Sequence, residues 1–390
     1  MKRNITDSKL LILILLSISM LICRNANSQI DTTKLGYDKK IDFKTKFPVG
    51  FYFNRIEGYT PFLKGEIIFK HIHDLNIKGN LNYSTNRNNF TYSIRLNYPI
   101  LNHKIKIGGH CFNDIMSNES WTVSRLENTI AGIFSNKDYM NYYSINGYSL
   151  PLQYILNNHI SFGIEYLHFK YDDLGDSTSF AKSLFKSNNA YRVNPSIFEA
   201  KQNAIAFKFV CDRLVDGSFF GESGWYSEVI YKAEFGDIQN NFFSLLSAGY
   251  IPTWGLQKIY VSGNLIMNNG DFYRQYLYAL GGIKVMKAFD PYTDFGQNLA
   301  YVSFEYHFPR YSLSTKSKSW IKPIVFSEFG KIWDSTETDV MTSNVQHYDL
   351  LTDVGIGVIL NKLIRFNLAK QIKKEGNWQF TMNLLLPAND

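Results

Sequence analysis

Glu305, Glu328 and Lys287 are the residues whose chemistry the sequence constrains most. The run Ala300-Tyr301-Val302-Ser303-Phe304-Glu305-Tyr306-His307-Phe308 alternates. A period of two puts Glu305 on one strand face with Tyr301, Ser303 and His307, opposite Ala300, Val302, Phe304, Tyr306 and Phe308. Glu328 is harder to place, because Phe326 and Gly330 share its face and Phe329 does not. Lys287, in the preceding loop, is the cation available to these carboxylates. Such a set forms ion pairs. No Gly-x-Ser-x-Gly elbow occurs, no His–Ser pairing stands out, and the expected role of His307 beside Glu305 is a structural hydrogen bond. His71, His73 and Asp74 lack the further ligands a metal site needs. Asp172, Asp173 and Asp176 lack the alternating ligands of a calcium loop. No catalytic residue, cofactor or metal is expected, and the chain reads as a non-enzyme.

The elements that carry these residues are strands. From Asn89 to Tyr98, Phe90, Tyr92, Ile94, Leu96 and Tyr98 take one face while Thr91, Ser93, Arg95 and Asn97 take the other. About sixteen such segments are expected, the first near 61–71, one near 271–280 and the last near 376–386. Repeated behind a secretory leader with no long apolar helix, this pattern predicts an all-β fold, a transmembrane antiparallel β-barrel. The sheet must close on itself, because each unsatisfied backbone group in hydrocarbon costs several kcal/mol. A charge on the lipid face costs up to a few kcal/mol at the midplane, which sends Glu305 and Glu328 into the lumen. Two connections have helical character. Leu126, Ile130, Ile133 and Phe134 predict a short amphipathic helix near 123–137 that caps the barrel or packs on a neighbouring loop. A weaker helical stretch surrounds Phe180 to Phe185.

Residues 1–28 read as a signal peptide: Lys2, Arg3 and Lys9 precede an apolar run from Leu10 to Ile22, with Ala26-Asn27-Ser28 at the cleavage site. That run is shorter than the roughly 20 residues a spanning helix needs. Residues 29–49 read as a short periplasmic arm and 50–390 as the barrel. Loss of the leader removes Lys2, Arg3, Lys9 and Arg24 against Asp7, so the net charge of +7 falls to +4, too little to argue for nucleic acid. An aromatic content of 16% suits a water–lipid boundary. Negative mean hydropathy beside 45% hydrophobic residues suits a barrel with a polar interior. Cys111 and Cys211 both fall with the outward, apolar set, where a thiol behaves as a small hydrophobe.

The segment from Leu280 to Trp333 is the most specific. Gly281-Gly282 precedes Met286-Lys287-Ala288-Phe289; Pro291, Gly296 and Asn298 lead into the Glu305 strand; Phe326-Ser327-Glu328-Phe329-Gly330 and Trp333 follow. This order resembles the barrel of the BamA-like outer-membrane assembly and translocation superfamily, also called the bacterial surface antigen family. There a glycine pair precedes a loop with a Val-Arg-Gly-Phe/Tyr motif that folds into the lumen. A strand with an inward glutamate comes next, then one reading Phe-x-Asp-x-Gly. Asn54-Arg55-Ile56-Glu57-Gly58 is similar to the family's motif at the barrel entrance, and Asp353-Val354-Gly355-Ile356-Gly357 and Arg365-Phe366-Asn367-Leu368-Ala369 to its penultimate strands.

The resemblance implies a lumenal loop locked through Lys287, Phe289, Glu305, Glu328 and Gly330, hinged at Gly281 and Gly282. Lysine is a point charge where the family's arginine offers a planar fork, and the longer glutamate at 328 compensates in part. Ala288 replaces a glycine of the motif. It further implies a barrel-only member without periplasmic repeats, in the bacterial outer membrane. Such a barrel aids insertion or passage of protein, or of lipid, through a lateral seam. Its partners are outer-membrane lipid and unfolded outer-membrane protein clients or a periplasmic adaptor. The alternative is a passive or plugged pore, or a structural barrel.

Overall fold

The computed structural model describes residues 43–72, 74–175, 191–218, 221–312, 319–334, 350–372 and 377–385. The signal peptide expected over residues 1–28, His73, Asp176 and the stretch around 180–185 lie outside the described residues. The strands, in order, are β1 (Phe43–Lys46), β2 (Val49–Asn54), β3 (Gly58–Phe69), β4 (Leu75–Ser84), β5 (Asn89–Ile100) and β6 (Ile105–Met116). A helix, α1 (Arg125–Ser135), precedes β7 (Tyr143–Ile155), β8 (Ile160–Asp172), β9 (Ala200–Asp212), β10 (Val215–Ser218), β11 (Gly221–Gly236), β12 (Asn240–Pro252) and β13 (Lys258–Gly270). Then come β14 (Tyr278–Leu280), β15 (Asp294–Gly296), β16 (Asn298–His307), β17 (Tyr311–Ser312), β18 (Trp320–Trp333), β19 (Leu351–Leu360), β20 (Ile364–Gln371) and β21 (Gln379–Leu384).

Among the described residues, all but β14 and β15 join one antiparallel sheet, and those two pair with each other. The period-two rule holds along it. In β5, Phe90, Tyr92, Ile94 and Leu96 are exposed, while Thr91 is buried and accepts a hydrogen bond from Asn82 Nδ2 at 3.0 Å. In β19, Val354 and Ile356 are exposed and Asp353 and Gly355 buried. Among the described residues no helix is long and apolar enough to cross a membrane. Cys111 and Cys211 are free thiols.

Two strand expectations shift. Pairing begins at Phe43: β2 runs along β3 from Asn54↔Gly58 to Val49↔Leu63, and β1 continues down the same edge from Lys46↔Glu66 to Phe43↔Phe69. Pro48 interrupts this run because it has no N–H to donate, and the lysines around it read as a solvated arm. Residues 271–280, in contrast, are not a sheet strand. They form a 3-10 turn at Arg274–Tyr276 and the short β14. Asn118 Nδ2 donates to the Gln275 and Leu277 carbonyls at 2.7 and 3.0 Å, so the irregular backbone is satisfied by a side chain rather than a neighbouring strand.

The chain divides into two compact units: residues 1–117, 128–154 and 165–202 in one, and 118–127, 155–164 and 203–390 in the other. The first contains β1 to β7, with Phe53, Ile133 and Tyr191 as a small buried cluster. In the second the main core is built by the loop between β14 and β15 lying on strands: Leu280, Met286, Ala288 and Phe289 pack with Tyr301 and Phe326. Helix α1 forms where helical spacing predicts it. A capping box starts it, with Ser124 N–H donating to Glu127 Oε2 at 2.8 Å and Glu127 N–H to Ser124 Oγ at 3.3 Å. Ile133 is its packed apolar residue, whereas Leu126, Ile130 and Phe134 are exposed.

Candidate functional site

The loop after β14 begins with two glycines in backbone conformations other residues rarely adopt, Gly281 at φ 97° and Gly282 at φ 142°. A Cβ on Gly281 would lie 2.2 Å from the Asp290 carbonyl, so this position also closes the base of the loop. Its tip is a turn in which the Phe289 N–H donates to the Met286 carbonyl at 2.9 Å. Met286 takes the positive φ, at 49°, which leaves Ala288 in ordinary backbone despite replacing a glycine of the motif.

Three strands hold that tip through Lys287 and Ala288. Lys287 Nζ meets Glu328 Oε1 on β18, and the Lys287 N–H donates to Glu328 Oε2 at 3.0 Å. Ala288 N–H donates to Asp353 Oδ2 on β19 at 2.9 Å. Gln371 Nε2, at the end of β20, donates to the Ala288 carbonyl at 2.8 Å. Tyr301 on β16 donates its hydroxyl to Glu328 Oε1 at 2.5 Å. The Lys287 ammonium also lies 4.7 Å from the centre of the Phe326 ring, an arrangement the ring quadrupole favours. Lys287 and Glu328 are both buried, so their pairing replaces the water each has lost. Gly330 leaves room for this packing: a Cβ there would sit 2.9 Å from Leu280 Cδ1 and 3.1 Å from Met286 Sδ. Phe289 is buried in the same core.

Glu305 is buried, as its strand pattern predicts, but its direct partners are not in the loop. Arg365 Nη1 on β20 donates to Glu305 Oε1 at 2.7 Å, and His307 Nε2 lies 2.7 Å from Glu305 Oε2. Arg365 Nε donates to Asn367 Oδ1 at 2.5 Å, and the guanidinium stands 5.3 Å from the Phe326 ring centre. Phe326 thus lies against two cations, Lys287 and Arg365, each with its own carboxylate.

The first unit contains a second buried ionic cluster at the β2–β3 turn. Asn54 Oδ1 accepts the Ile56 and Glu57 N–H groups at 3.0 and 2.7 Å, and its Nδ2 donates to Glu57 Oε2 at 2.6 Å. Gly58 completes the turn at φ 73° against Asn86 and Thr85. Arg55 projects from it and is paired with Asp138 (Nη1 to Oδ1, 3.1 Å), both side chains being 0% exposed. Its other contacts are the Met140 carbonyl at 2.5 Å, Asn194 Oδ1 at 3.3 Å and the face of Tyr142. Burial, with Asp138 adjacent, pushes the Tyr142 phenol well above its ordinary value. The hydroxyl thus stays protonated and donates to Asp138 Oδ1 at 3.0 Å. Among the described residues no group of acidic, histidine and cysteine side chains could hold a metal ion.

Known proteins were compared with this geometry. A family model described as the C-terminal domain of a family of unknown function, DUF5686, matches residues 30–210. No curated protein matches the sequence. BamA from Haemophilus ducreyi lacking POTRA domains 1–3 matches with a TM-score of 0.60 at 16% identity, over 88% of this chain and 70% of that one. This chain has the BamA-like β-barrel fold. CdiB from Acinetobacter baumannii (13% identity, TM-score 0.45) and from Escherichia coli (9%, 0.43) each match over 89% of this chain and over 60% and 62% of their own. The chain thus spans less than two thirds of the CdiB chains.

In this BamA-like barrel, sequence reasoning named Lys287, Phe289, Glu328, Gly330 and the glycine pair, and the structure brings these together. It places Glu305 on the neighbouring Arg365 pair. Asp353, Arg365, Gln371 and the Arg55–Asp138 pair were not read as partners. Alternation carried a usable signal for two of them, since Asp353 opposes Val354 and Ile356, and Arg365 opposes Phe366 and Leu368. Asp138 and Asn194 sit in irregular loops and carried none.

Proposed function

We propose that the protein is a bacterial outer-membrane barrel that helps other proteins insert into, or pass, the outer membrane through a seam between its first and last strands. The step is an exchange of backbone hydrogen bonds. A client strand pairs with an opened edge, and no covalent bond is made or broken. The carrying observation is the loop tip fastened to β18, β19 and β20 through Glu328, Asp353 and Gln371. It stiffens the strands next to β21, whose six residues Gln379–Leu384 offer few backbone bonds to break. Outer-membrane lipid meets the exposed strand faces, and unfolded outer-membrane proteins, delivered directly or by a periplasmic adaptor, are the clients.

Two measurements test this reading. Depletion of the protein in cells lowers the amount of other surface proteins, and a disulfide placed across the seam reproduces that loss until it is reduced. In planar bilayers the wild-type barrel conducts weakly. A steady open pore that widens in Lys287→Ala, with surface proteins unaffected by depletion, replaces this reading with a plugged channel.

A further inference from the structure

Helix α1 makes contacts that loop anchorage does not explain. Phe53 stands opposite Tyr59 across the β2–β3 pair. Tyr59 turns its carbonyl away from β2, where it accepts the Thr85 N–H at 3.2 Å. Opposed residues of a non-hydrogen-bonded antiparallel pair both direct their backbone groups outward, so the N–H and C=O of Phe53 point away from β3. One side chain of α1 takes both. Thr129 Oγ1 accepts the Phe53 N–H at 3.0 Å and donates to the Phe53 C=O at 3.4 Å.

The last strand is treated in the same way. Leu385 N–H donates to the Leu363 carbonyl at 2.8 Å. Successive N–H groups of a strand alternate sides, so the Leu384 N–H points away from β20. Glu127 Oε1 accepts it at 2.7 Å, while Glu127 Oε2 lies 3.3 Å from Lys284 Nζ.

Helix geometry sorts these contacts by direction. At roughly 100° per residue, Glu127 and Thr129 project from opposite flanks of Asn128. Asn128 and Gly132 share one face: Asn128 Nδ2 donates to Asp138 Oδ1 at 3.0 Å and to the Tyr142 hydroxyl at 2.8 Å. Gly132 sits so close to Phe53 that a Cβ would be 2.8 Å from its ring. The remaining face is Leu126, Ile130 and Phe134, at 40%, 37% and 59% exposure. An exposed apolar stripe of this kind matches the outer faces of the strands, where Phe90 and Ile94 are exposed as well.

We propose that α1 is a detachable cover for the edge of the first strand. Thr129 closes that edge at Phe53, and the Leu126–Ile130–Phe134 stripe faces lipid acyl chains. An incoming strand takes the place of Thr129, a step that rests on the insertase reading above. At Phe53 the cover offers a side-chain hydroxyl where a client offers a ladder of backbone bonds, so the exchange runs toward the client.

Hydrogen–deuterium exchange in proteoliposomes tests the cover. In Thr129→Val the Phe53 amide exchanges at least tenfold faster than in wild type, and Thr129→Ser keeps the wild-type rate. An unchanged rate in Thr129→Val means another group closes that edge and overturns the proposal. For the stripe, Ile130→Trp is quenched by liposomes of brominated phosphatidylcholine; fluorescence that brominated chains leave unaltered overturns the lipid contact. Detachment is tested by a disulfide between Phe53→Cys and Thr129→Cys. The oxidised form fails to restore surface proteins in depleted cells and the reduced form succeeds, whereas full restoration by the oxidised form shows that α1 need not leave. Should depletion itself change no surface protein, the insertase reading and the displacement step fall together, while exchange and quenching still decide the cover.

Discussion

Lys287 has lost its water and lies against Glu328, so its value to the fold is set by what its removal would strand. Taking away one partner of a buried ion pair leaves the other charged and unpaired, which costs about 3–5 kcal/mol. Lys287→Met is therefore expected to lower stability by that order in urea titrations of the liposome-bound barrel. Lys287→Arg keeps most of it, since the positive charge beside Glu328 is retained. Arg55 is held by Asp138 under the same rule, and Arg55→Met is expected to release the segment after α1. Limited trypsin digestion checks this: cleavage at the exposed Lys137 should accelerate while cleavage elsewhere does not. Tyr142 adds a pH dependence. Its folded value is raised above the ordinary 10.0, so its contribution is complete below pH 10 and is lost as the pH climbs through the raised folded value. Digestion at Lys137 should stay slow from pH 6 to 9 and quicken at strongly alkaline pH.

Among the elements, the strands owe their faces to alternation and their loop contacts to small residues. Ile94 is exposed on β5; Ile94→Lys puts a charge where hydrocarbon is expected and should cost roughly 2–4 kcal/mol if it sits near the midplane. The same urea titration reads it, and Ile94→Leu serves as the neutral control. Gly330 on β18 is the opposite case, because its missing Cβ is the space that Leu280 and Met286 occupy. Gly330→Val should push the loop tip off Glu328 and Asp353 and reproduce the Lys287→Met phenotype with the lysine intact. Crosslinking from a cysteine at position 288 to one at 353 would report that displacement as a lost product. Helix α1 was legible in the sequence from the spacing of Leu126, Ile130, Ile133 and Phe134, which read as a face that caps the barrel or packs on a neighbouring loop. Instead the structure buries Glu127, Asn128 and Thr129 and leaves Leu126, Ile130 and Phe134 exposed, because polar side chains are what a strand edge requires.

For the whole molecule, the antiparallel sheet and the likeness to the BamA barrel agree with a chain whose apolar residues lie on the exposed strand faces. A protein built this way needs an apolar phase around it. The chain is accordingly expected to stay with membranes through a urea or carbonate wash. In detergent it should give circular dichroism dominated by β structure, with only a small helical contribution from α1. Recovery in the soluble fraction without detergent would contradict the membrane reading at its root. The number of long strands was close to correct although one was misplaced. The run beginning at Phe43 was overlooked and 271–280 was counted, since Pro48 hides the first and aromatic residues imitate a strand in the second.

Facing direction was available from residue order because it is a property of the backbone: neighbours on a strand point to opposite sides whatever surrounds them. Hence Glu305 inward, Phe90 outward and a helix around Ile130 could be read without coordinates. Partnership was not available, because it depends on how strands distant in sequence align and on the path a loop takes between them. Only the tertiary structure could choose Glu328 over Glu305 as the partner of Lys287, give Glu305 to Arg365, and bring Thr129 to the edge of β2 and Glu127 to that of β21.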